Sequence, residues 1–412
     1  MTEIGTSDDL VLAVVLLAGA VLLIAGIVER RRHNQRLMAV PTRIAVNGSR
    51  GKSTVTRLAT GALSAGGFKT LGKTTGAEPM VVHGWDRSQE PLHRRPEGPN
   101  IGEQLTVLRN ASGEQLDALV IECMAITPEY QQVLHTDLLA ANVVVITNVL
   151  ADHLEEMGPT TADVADVFAE TIPAGGVLVA APGDHLHTLL RAARHKGARV
   201  EIADPDAVDP ALLTRFDHLV MAEHVALVLA LARALGIDES DATEGMLSAP
   251  VDPLATRLLA VGDATDPAVF VNAFGANDPV STLAVWEHVT GLGHPRDGLV
   301  VVMNCRSDRV ARTRQFAVDV LPHLPIDTLV VTGSVTGPVL QAAGSGQIPT
   351  RKVVDCTDRS ADEVHAALEP DLSGRVVLGV GNLHGGGVEI VEEMERRAVG
   401  AQAPGGVADV RD

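Results

Sequence analysis

Aromatic side chains are scarce in this 412-residue chain: two Trp, one Tyr and six Phe amount to 2% of it. Proteins that hold single-stranded nucleic acid stack bases on such rings. A formal charge of −19 also repels phosphate overall. Both argue against nucleic acid as a partner. Cysteine is equally thin. Cys123, Cys305 and Cys356 are scattered and odd in number, so they form neither a disulfide framework nor a zinc pattern, which suggests a reducing compartment. Lysine is rarer than its usual share, and three of the five (Lys52, Lys69 and Lys73, against Lys196 and Lys352) fall close together. No internal repeat is present.

What the chain does have begins with a long apolar run. Leu10 to Val28 is nineteen residues without a charge, enough to cross a bilayer as a helix. Glu3, Asp8 and Asp9 precede it and Arg30, Arg31, Arg32 and Arg36 follow. Positive flanks stay in the cytoplasm, and a signal peptide would carry them on the other side of the run. The expectation for 1–37 is therefore a single-pass transmembrane anchor with a basic flank, the remainder of the chain facing the cytoplasm.

From Thr42 strand-like and helix-like stretches alternate, the pattern of a parallel α/β sheet. Apolar runs at 43–46, 118–123, 142–147, 177–181 and 200–202 read as strands buried on both faces. Helices are expected at 53–65, 101–109, 162–170, 185–195 and 222–235. The Pro-, His- and Arg-rich stretch 77–99 has no period and reads as a long surface loop. A boundary falls near Ser248–Pro253, so 38–250 and 251–397 are expected as two α/β domains. The second shows strands at 269–272, 298–303, 328–332 and 375–380, with helices at 279–289, 310–321 and 388–397. The Ala/Gly/Pro-rich tail 398–412 reads as disordered.

The residues that point to chemistry start at Ile44-Ala45-Val46-Asn47-Gly48-Ser49-Arg50-Gly51-Lys52-Ser53-Thr54. A β-branched strand enters a glycine turn and then a Lys-Ser-Thr helix start. Phosphate needs close backbone N–H groups, which glycines permit, and a positive helix N-terminus. The lysine adds charge at the outer phosphates and the Ser53 hydroxyl can hold Mg²⁺. The spacing Gly-x-x-Gly-Lys-Ser is two residues shorter than the common phosphate loop. ATP binding is the reading. Further signals sit where strands end, the ligand-binding edge of open α/β sheets. Glu122 closes the run Ala118–Ile121 and suits a hard cation; a solvated strand-end acid is its plain alternative. Asn148, Asp152 and His153 follow Val143–Thr147, and the Asp-His pair reads either as metal ligand or base, or as a helix cap made by Asp152. Thr74 and Thr75 offer hydroxyls in a turn, and Asn100 sits at a helix start.

Taken together, the Gly-Ser-Arg-Gly-Lys-Ser-Thr loop, the Asn100-Ile101-Gly102 turn, the strand-end Glu122 and the Asn148-x-x-x-Asp152-His153 segment resemble the ATPase domain of Mur ligases. The same order occurs in folylpolyglutamate synthases, which share the Thr-Thr turn. The resemblance continues through Arg257 and Asn272-Ala273-Phe274-Gly275-Ala276-Asn277-Asp278-Pro279, covering 42 to about 390. Within the superfamily the chain is most similar to the ligase-subunit family of poly-γ-glutamate synthases, through Arg50 and Arg57 around the loop, Asn304–Arg309, Arg312–Phe316 and Gly381–Gly385, and through an anchor in place of a nucleotide-sugar domain. The implied fold is a Mur-ligase-like P-loop domain with a parallel sheet plus a C-terminal Rossmann-like domain.

The resemblance implies an ATP-dependent ligase joining glutamate through its γ-carboxyl by way of an acyl phosphate, with ATP and Mg²⁺ as cofactors. Lys52, Glu122 and His153 are the expected catalytic residues. Gly48, Ser49, Arg50, Gly51, Lys52, Ser53, Thr54, Asn100, Arg257 and Asn272 would bind nucleotide, and Ser53, Thr75, Glu122 and His153 metal. Arg306, Arg309 and Arg312 would meet the polyanion, although a solvated charge cluster explains them as well. Glutamate, the growing polymer and integral membrane subunits are the implied partners, with room for self-association. One departure stands out: no lysine lies between Lys73 and Lys196, so the carbamylated lysine of many Mur ligases is missing. Two rivals remain, a folate-adding ligase of the same superfamily and a membrane-tethered P-loop kinase or ATPase.

Overall fold

The computed structural model describes residues 4–76, 79–94, 98–213, 215–216, 218–252, 255–276, 278–291 and 298–399. Two compact units divide the chain, one of Met1–Phe216 with Val220–Asp252, the other of Asp217–Leu219 with Pro253–Asp412.

Unit 1 begins with the long helix α1 (Ile4–Met38), continues with β1 (Thr42–Asn47) and α2 (Lys52–Ala65), and reaches β2 (Thr70–Lys73), β3 (Met80–His83) and β4 (Ser88–Pro91). α3 (Glu103–Asn110), β5 (Ala118–Glu122), α4 (Pro128–Val133), β6 (Val143–Ile146), α5 (Leu154–Met157) and α6 (Thr161–Glu170) follow. β7 (Val177–Ala180), α7 (Leu186–His195), β8 (Arg199–Ile202), α8 (Pro210–Leu213), α9 (Ala222–Leu235) and α10 (Glu239–Leu247) complete it. The eight strands form one sheet in the order β4-β3-β2-β5-β1-β6-β7-β8. Pairing is parallel from β2 to β8 and antiparallel for β2–β3 and β3–β4. Central strands such as Val143–Ile146 are buried throughout, as continuous Val/Ile runs covered by helices on both faces require.

β1 lies between β5 and β6, and the chain leaves it first toward one side of the sheet and later toward the other. That makes the end of β1 a switch point, where open α/β sheets form a crevice. α2 leaves this crevice with Val55, Leu58, Ala59, Ala62 and Leu63 buried against α9 and α10. Burial of this face, at about 0.8 kcal/mol per CH₂ removed from water, holds the start of α2 in place.

α1 runs unbroken from its apolar segment to its seat on unit 1. Leu10–Met38 is long and apolar enough to cross a membrane. At its end Leu37 and Val40 enter the core, His33 Nε2 lies 3.0 Å from the Leu138 carbonyl, and Arg30 pairs with Asp137 at 3.7 Å. The end of the expected anchor segment is therefore seated on unit 1.

Residues 77–99 are not one loop. β3 and β4 form a hairpin that extends the sheet edge, with Met80, Val81 and Val82 buried and β4 exposed. Four-residue strands, one of them polar, leave too little alternation to be read as strands. Residues 77–78 and 95–97 of that stretch lie outside the described residues.

Unit 2 carries β9 (Leu258–Val261), β10 (Ala268–Asn272), α11 (Pro279–Gly291), β11 (Leu299–Cys305), α12 (Val310–Asp319), β12 (Ile326–Gly333), α13 (Gly337–Gly344), β13 (Thr350–Thr357), α14 (Ala361–Leu368), β14 (Val376–Gly381) and α15 (Gly387–Arg396). Its sheet order is β13-β12-β11-β14-β10-β9, parallel except for β9–β10. Asn277 and the tail from residue 400 lie outside the described residues.

Candidate active site

The loop between β1 and α2 depends on two glycines in the left-handed region. Gly48 has φ 122° and Gly51 φ 80°, conformations that cost other residues about 1 kcal/mol or more. A Cβ at Gly48 would also overlap the Thr147 hydroxyl. At Gly51 it would fall 2.5 Å from Nε2 of His224.

The stretch after β6 braces this loop. The Ser49 amide donates to the Asn148 carbonyl at 3.2 Å and the Arg50 amide to Asn148 Oδ1 at 2.9 Å. Asn148 Nδ2 returns a bond to the Arg50 carbonyl at 3.2 Å, and the Leu150 amide donates to Ser49 Oγ at 2.9 Å. Arg50 Nη2 lies 3.4 Å from Asp152 Oδ1. Asp152 is therefore not the helix cap that the sequence allows. His153 holds the cap position of α5 with φ 49° and makes no side-chain cap bond.

The loop's two polar side chains face different partners. Lys52 Nζ donates to the Gly48 carbonyl at 2.6 Å and the Ser49 carbonyl at 3.0 Å. Ser53 Oγ donates to Glu122 Oε2 at 2.9 Å, and the Thr75 amide donates to the same oxygen at 2.8 Å. Register explains the meeting: Glu122 pairs with Val46, just before the loop. Ser53, Thr75 and Glu122 thus converge, with Thr75 contributing its backbone N–H. Thr54 follows in the first turn of α2.

The remaining expected residues lie apart from that cluster. His153 is half-exposed, 3.8 Å from Asp152 and 4.0 Å from Glu156. Asn100 is exposed at the entry to α3, its Oδ1 accepting from the Gly102 amide at 2.6 Å. In unit 2, Arg257 Nη1 is 3.8 Å from Glu395, and its Nε is buried without a hydrogen-bond partner. Asn272 is buried at the end of β10, its Oδ1 accepting from the Phe274 amide at 3.3 Å. Arg306 pairs with Asp308 at 2.8 Å, Arg312 donates to Asn382 Oδ1 at 2.9 Å, and Arg309 precedes α12. Among the described residues, no group of three or more His, Cys, Asp or Glu is placed to hold a metal ion. A hydroxyl beside a carboxylate at a helix start is nevertheless a hard-oxygen pair that fits Mg²⁺.

Beside the cluster lies a network that sequence reasoning did not find. The Lys73 side chain is fully buried, its Nζ 2.8 Å from Glu103 Oε2. Arg94 Nε reaches Glu103 Oε1 at 2.9 Å, and its Nη2 donates to the Thr75 carbonyl at 2.7 Å. Burial pulls the Lys73 pKa below the usual lysine range, against the pull of Glu103 and Glu122. For Glu103, burial pushes upward, but Lys73 and Arg94 outweigh it and hold the carboxyl below the usual glutamate range. The Asn100-x-x-Glu103 spacing, a capping pattern, was the one available hint. The Glu103 contribution to stability is therefore present above about pH 4.3 and lost as pH falls through the lower folded-state pKa. A depressed Lys73 pKa works at the alkaline end, where stability rises as pH climbs from the folded-state value toward the ordinary lysine value. Glu103→Gln should cost about 3 kcal/mol by leaving the ammonium buried without its carboxylate and should remove that acid limb. Urea unfolding across pH measures both, and an unchanged midpoint would dismiss the network as incidental.

Arg57 is a second buried cation, one turn along α2. Its Nη1 donates to Gln89 Oε1 at 2.6 Å and to the Pro250 carbonyl at 3.0 Å, and its Nε is 3.4 Å from Asp252.

These features place unit 1 among P-loop ligase folds. Residues 46–203 match the Mur ligase middle domain family, and residues 258–397 the poly-gamma-glutamate synthase CapB C-terminal domain. A bifunctional folylpolyglutamate synthase/dihydrofolate synthase from Yersinia pestis, complexed with AMPPNP and Mn ion, superposes with a TM-score of 0.62 at 15% identity. The alignment covers 89% of this chain and 93% of that one, and shows the shared fold. PGA synthase CapB of Bacillus subtilis (strain 168) is 43% identical over 385 residues, 93% of this chain and 98% of that protein. The capsule biosynthesis protein CapB of Bacillus anthracis is 42% identical over 379 residues, 92% of this chain and 82% of that protein. The chain belongs to the CapB family of poly-gamma-glutamate synthases, within the Mur ligase fold.

Proposed function

We propose that this chain is an ATP-dependent amide ligase that lengthens poly-γ-glutamate, releasing ADP and phosphate. The observation that carries the reading is the convergence of Ser53 Oγ and the Thr75 amide on Glu122 at the foot of the phosphate loop, in a chain of the CapB family. Joining a carboxylate to an amine in water is uphill, so the carboxylate needs activation. A γ-carboxylate oxygen attacks the ATP γ-phosphorus, ADP leaves, and the amine of the next glutamate displaces phosphate from the acyl phosphate.

Transfer of this kind depends on positioning and charge neutralisation more than on covalent help. The amides of the first turn of α2, which lack intrahelical partners, and the Lys52 ammonium cradle the phosphates, while the Ser49 and Arg50 amides are already bonded to Asn148. Ser53 Oγ and Glu122 would hold Mg²⁺, which when bound would supply charge neutralisation at the transferred group. His153 would hold a second ion, and Thr54 and Asn100 would bind the nucleotide. Within unit 2, Arg257 and Asn272 are the residues we assign to nucleotide by family resemblance, and Arg306, Arg309 and Arg312 offer guanidinium forks to carboxylates. α1 anchors the enzyme in the membrane with both units cytoplasmic, beside integral subunits that would export the product.

The test is to incubate membranes bearing the full chain with ATP, Mg²⁺ and glutamate. γ-Linked polymer together with ADP is expected. Release of AMP, or ATP turnover indifferent to glutamate, would overturn the ligase reading and favour a tethered ATPase.

A further inference from the structure

We infer that the junction between α1 and unit 1 is a binding site for an anionic phospholipid headgroup. A cleft of about 660 Å³ opens there, lined by Arg32, Gln35 and Arg36 of α1 and, from unit 1 beyond it, by Ser112, Gln115 and Asp117. The two arginines are four residues apart and so share a helix face. Neither guanidinium is in an ion pair or hydrogen bond among the described residues. Asp117, the only acid in the lining among the described residues, already accepts from the Lys69 amide at 2.8 Å. Two cations without a bonded partner among the described residues match a ligand with a negative head.

Depth makes that ligand a lipid. The inference rests on α1 being a membrane span, whose uncharged run ends at Val28. With a rise of about 1.5 Å per residue, Arg32 lies ~6 Å and Arg36 ~12 Å beyond that point. The polar layer of a leaflet is roughly 5–8 Å thick, so Arg32 stands among the phosphates. Side chains lean toward a helix N-terminus, here toward the bilayer, and an arginine stem can lie along apolar surface while its head seeks charge. Arg36 therefore reaches back to the same level. The seat is rigid, since His33 and Leu37 hold the helix against unit 1.

The full chain is reconstituted in nanodiscs of equal phosphatidylglycerol and phosphatidylcholine, and lipids retained after release are identified by native mass spectrometry. Phosphatidylglycerol should be retained over phosphatidylcholine. Arg32→Gln with Arg36→Gln should weaken that retention about twenty-five-fold, at about fivefold per charge, and the double lysine variant should recover most of it. Arg31→Gln, in the same basic run but outside the cleft, should change it less than twofold. Equal losses from Arg31→Gln and Arg36→Gln would mean diffuse attraction and overturn the site, as would equal retention of both lipids. Displacement by millimolar inorganic phosphate would reassign the cleft to free phosphate. Carbonate extraction separates the two levels: a chain washed from membranes refutes the span and the lipid site together, whereas a resistant chain without lipid preference refutes the site alone.

Discussion

Lys52→Ala is expected to lower the rate of glutamate addition by about 10²- to 10³-fold, with a much smaller change in nucleotide affinity. The asymmetry follows from what the lysine does before phosphate arrives. Its ammonium already has two acceptors in the loop, the carbonyls of Gly48 and Ser49. Nucleotide binding therefore exchanges existing hydrogen bonds for new ones, and the net gain in the ground state is small. In the transition state charge develops toward the leaving ADP oxygen, and a fixed cation is worth more there, typically 10²- to 10³-fold for a single donor. Steady-state kinetics on membranes, with ADP release as the signal, should show kcat falling while KM for ATP moves less than about threefold. The variant should fractionate with membranes like the parent. Polymer synthesis at the parental rate would take the loop out of the mechanism.

Glu122→Gln should have an effect of similar size by another route. Glutamine keeps an oxygen to accept from Ser53 Oγ and the Thr75 amide, so the fold around the cluster stays, but the negative charge is gone. A hard divalent cation prefers anionic oxygen, and the variant should need far more Mg²⁺ to reach half activity, with a maximal rate down about 10²-fold. A Mg²⁺ titration at saturating ATP distinguishes this from simple misfolding. If the Mg²⁺ requirement of the variant matches that of the parent, Glu122 braces the Thr75 turn and does not hold metal.

The phosphate loop was legible in the sequence because its demands are local. Left-handed backbone at two positions restricts residue choice to glycine, and the lysine and serine follow at fixed distances along the chain. Buried parallel strands such as 118–122 and 143–146 were legible for a similar reason, since cover on both faces writes a continuous apolar run. The hairpin at 80–91 was not, because its second strand is exposed and polar, and neither was β13, an edge strand with an exposed face. Side-chain partners set by topology were illegible altogether. Lys73 meets Glu103, and His224 meets Gly51 across most of unit 1, through folding that no spacing along the chain encodes. The Asp152-His153 pair shows the intermediate case. Its residue types suggested a cap or a metal ligand; the cap position falls to His153, and Asp152 lies beside Arg50 of the loop, a contact set by the order of β1 and β6.

Helix α1 has a mechanical consequence as well. It continues without a joint from its apolar stretch to the buried Leu37, a stalk of about 15 Å beyond Val28. On the membrane reading, the P-loop unit is mounted rather than leashed. It cannot tumble or search the space above the bilayer as an enzyme on a flexible linker does. Its crevice stays at a height set by the stalk and moves only as the helix itself tilts or rotates. A growing polymer chain end must therefore come to that level to be extended.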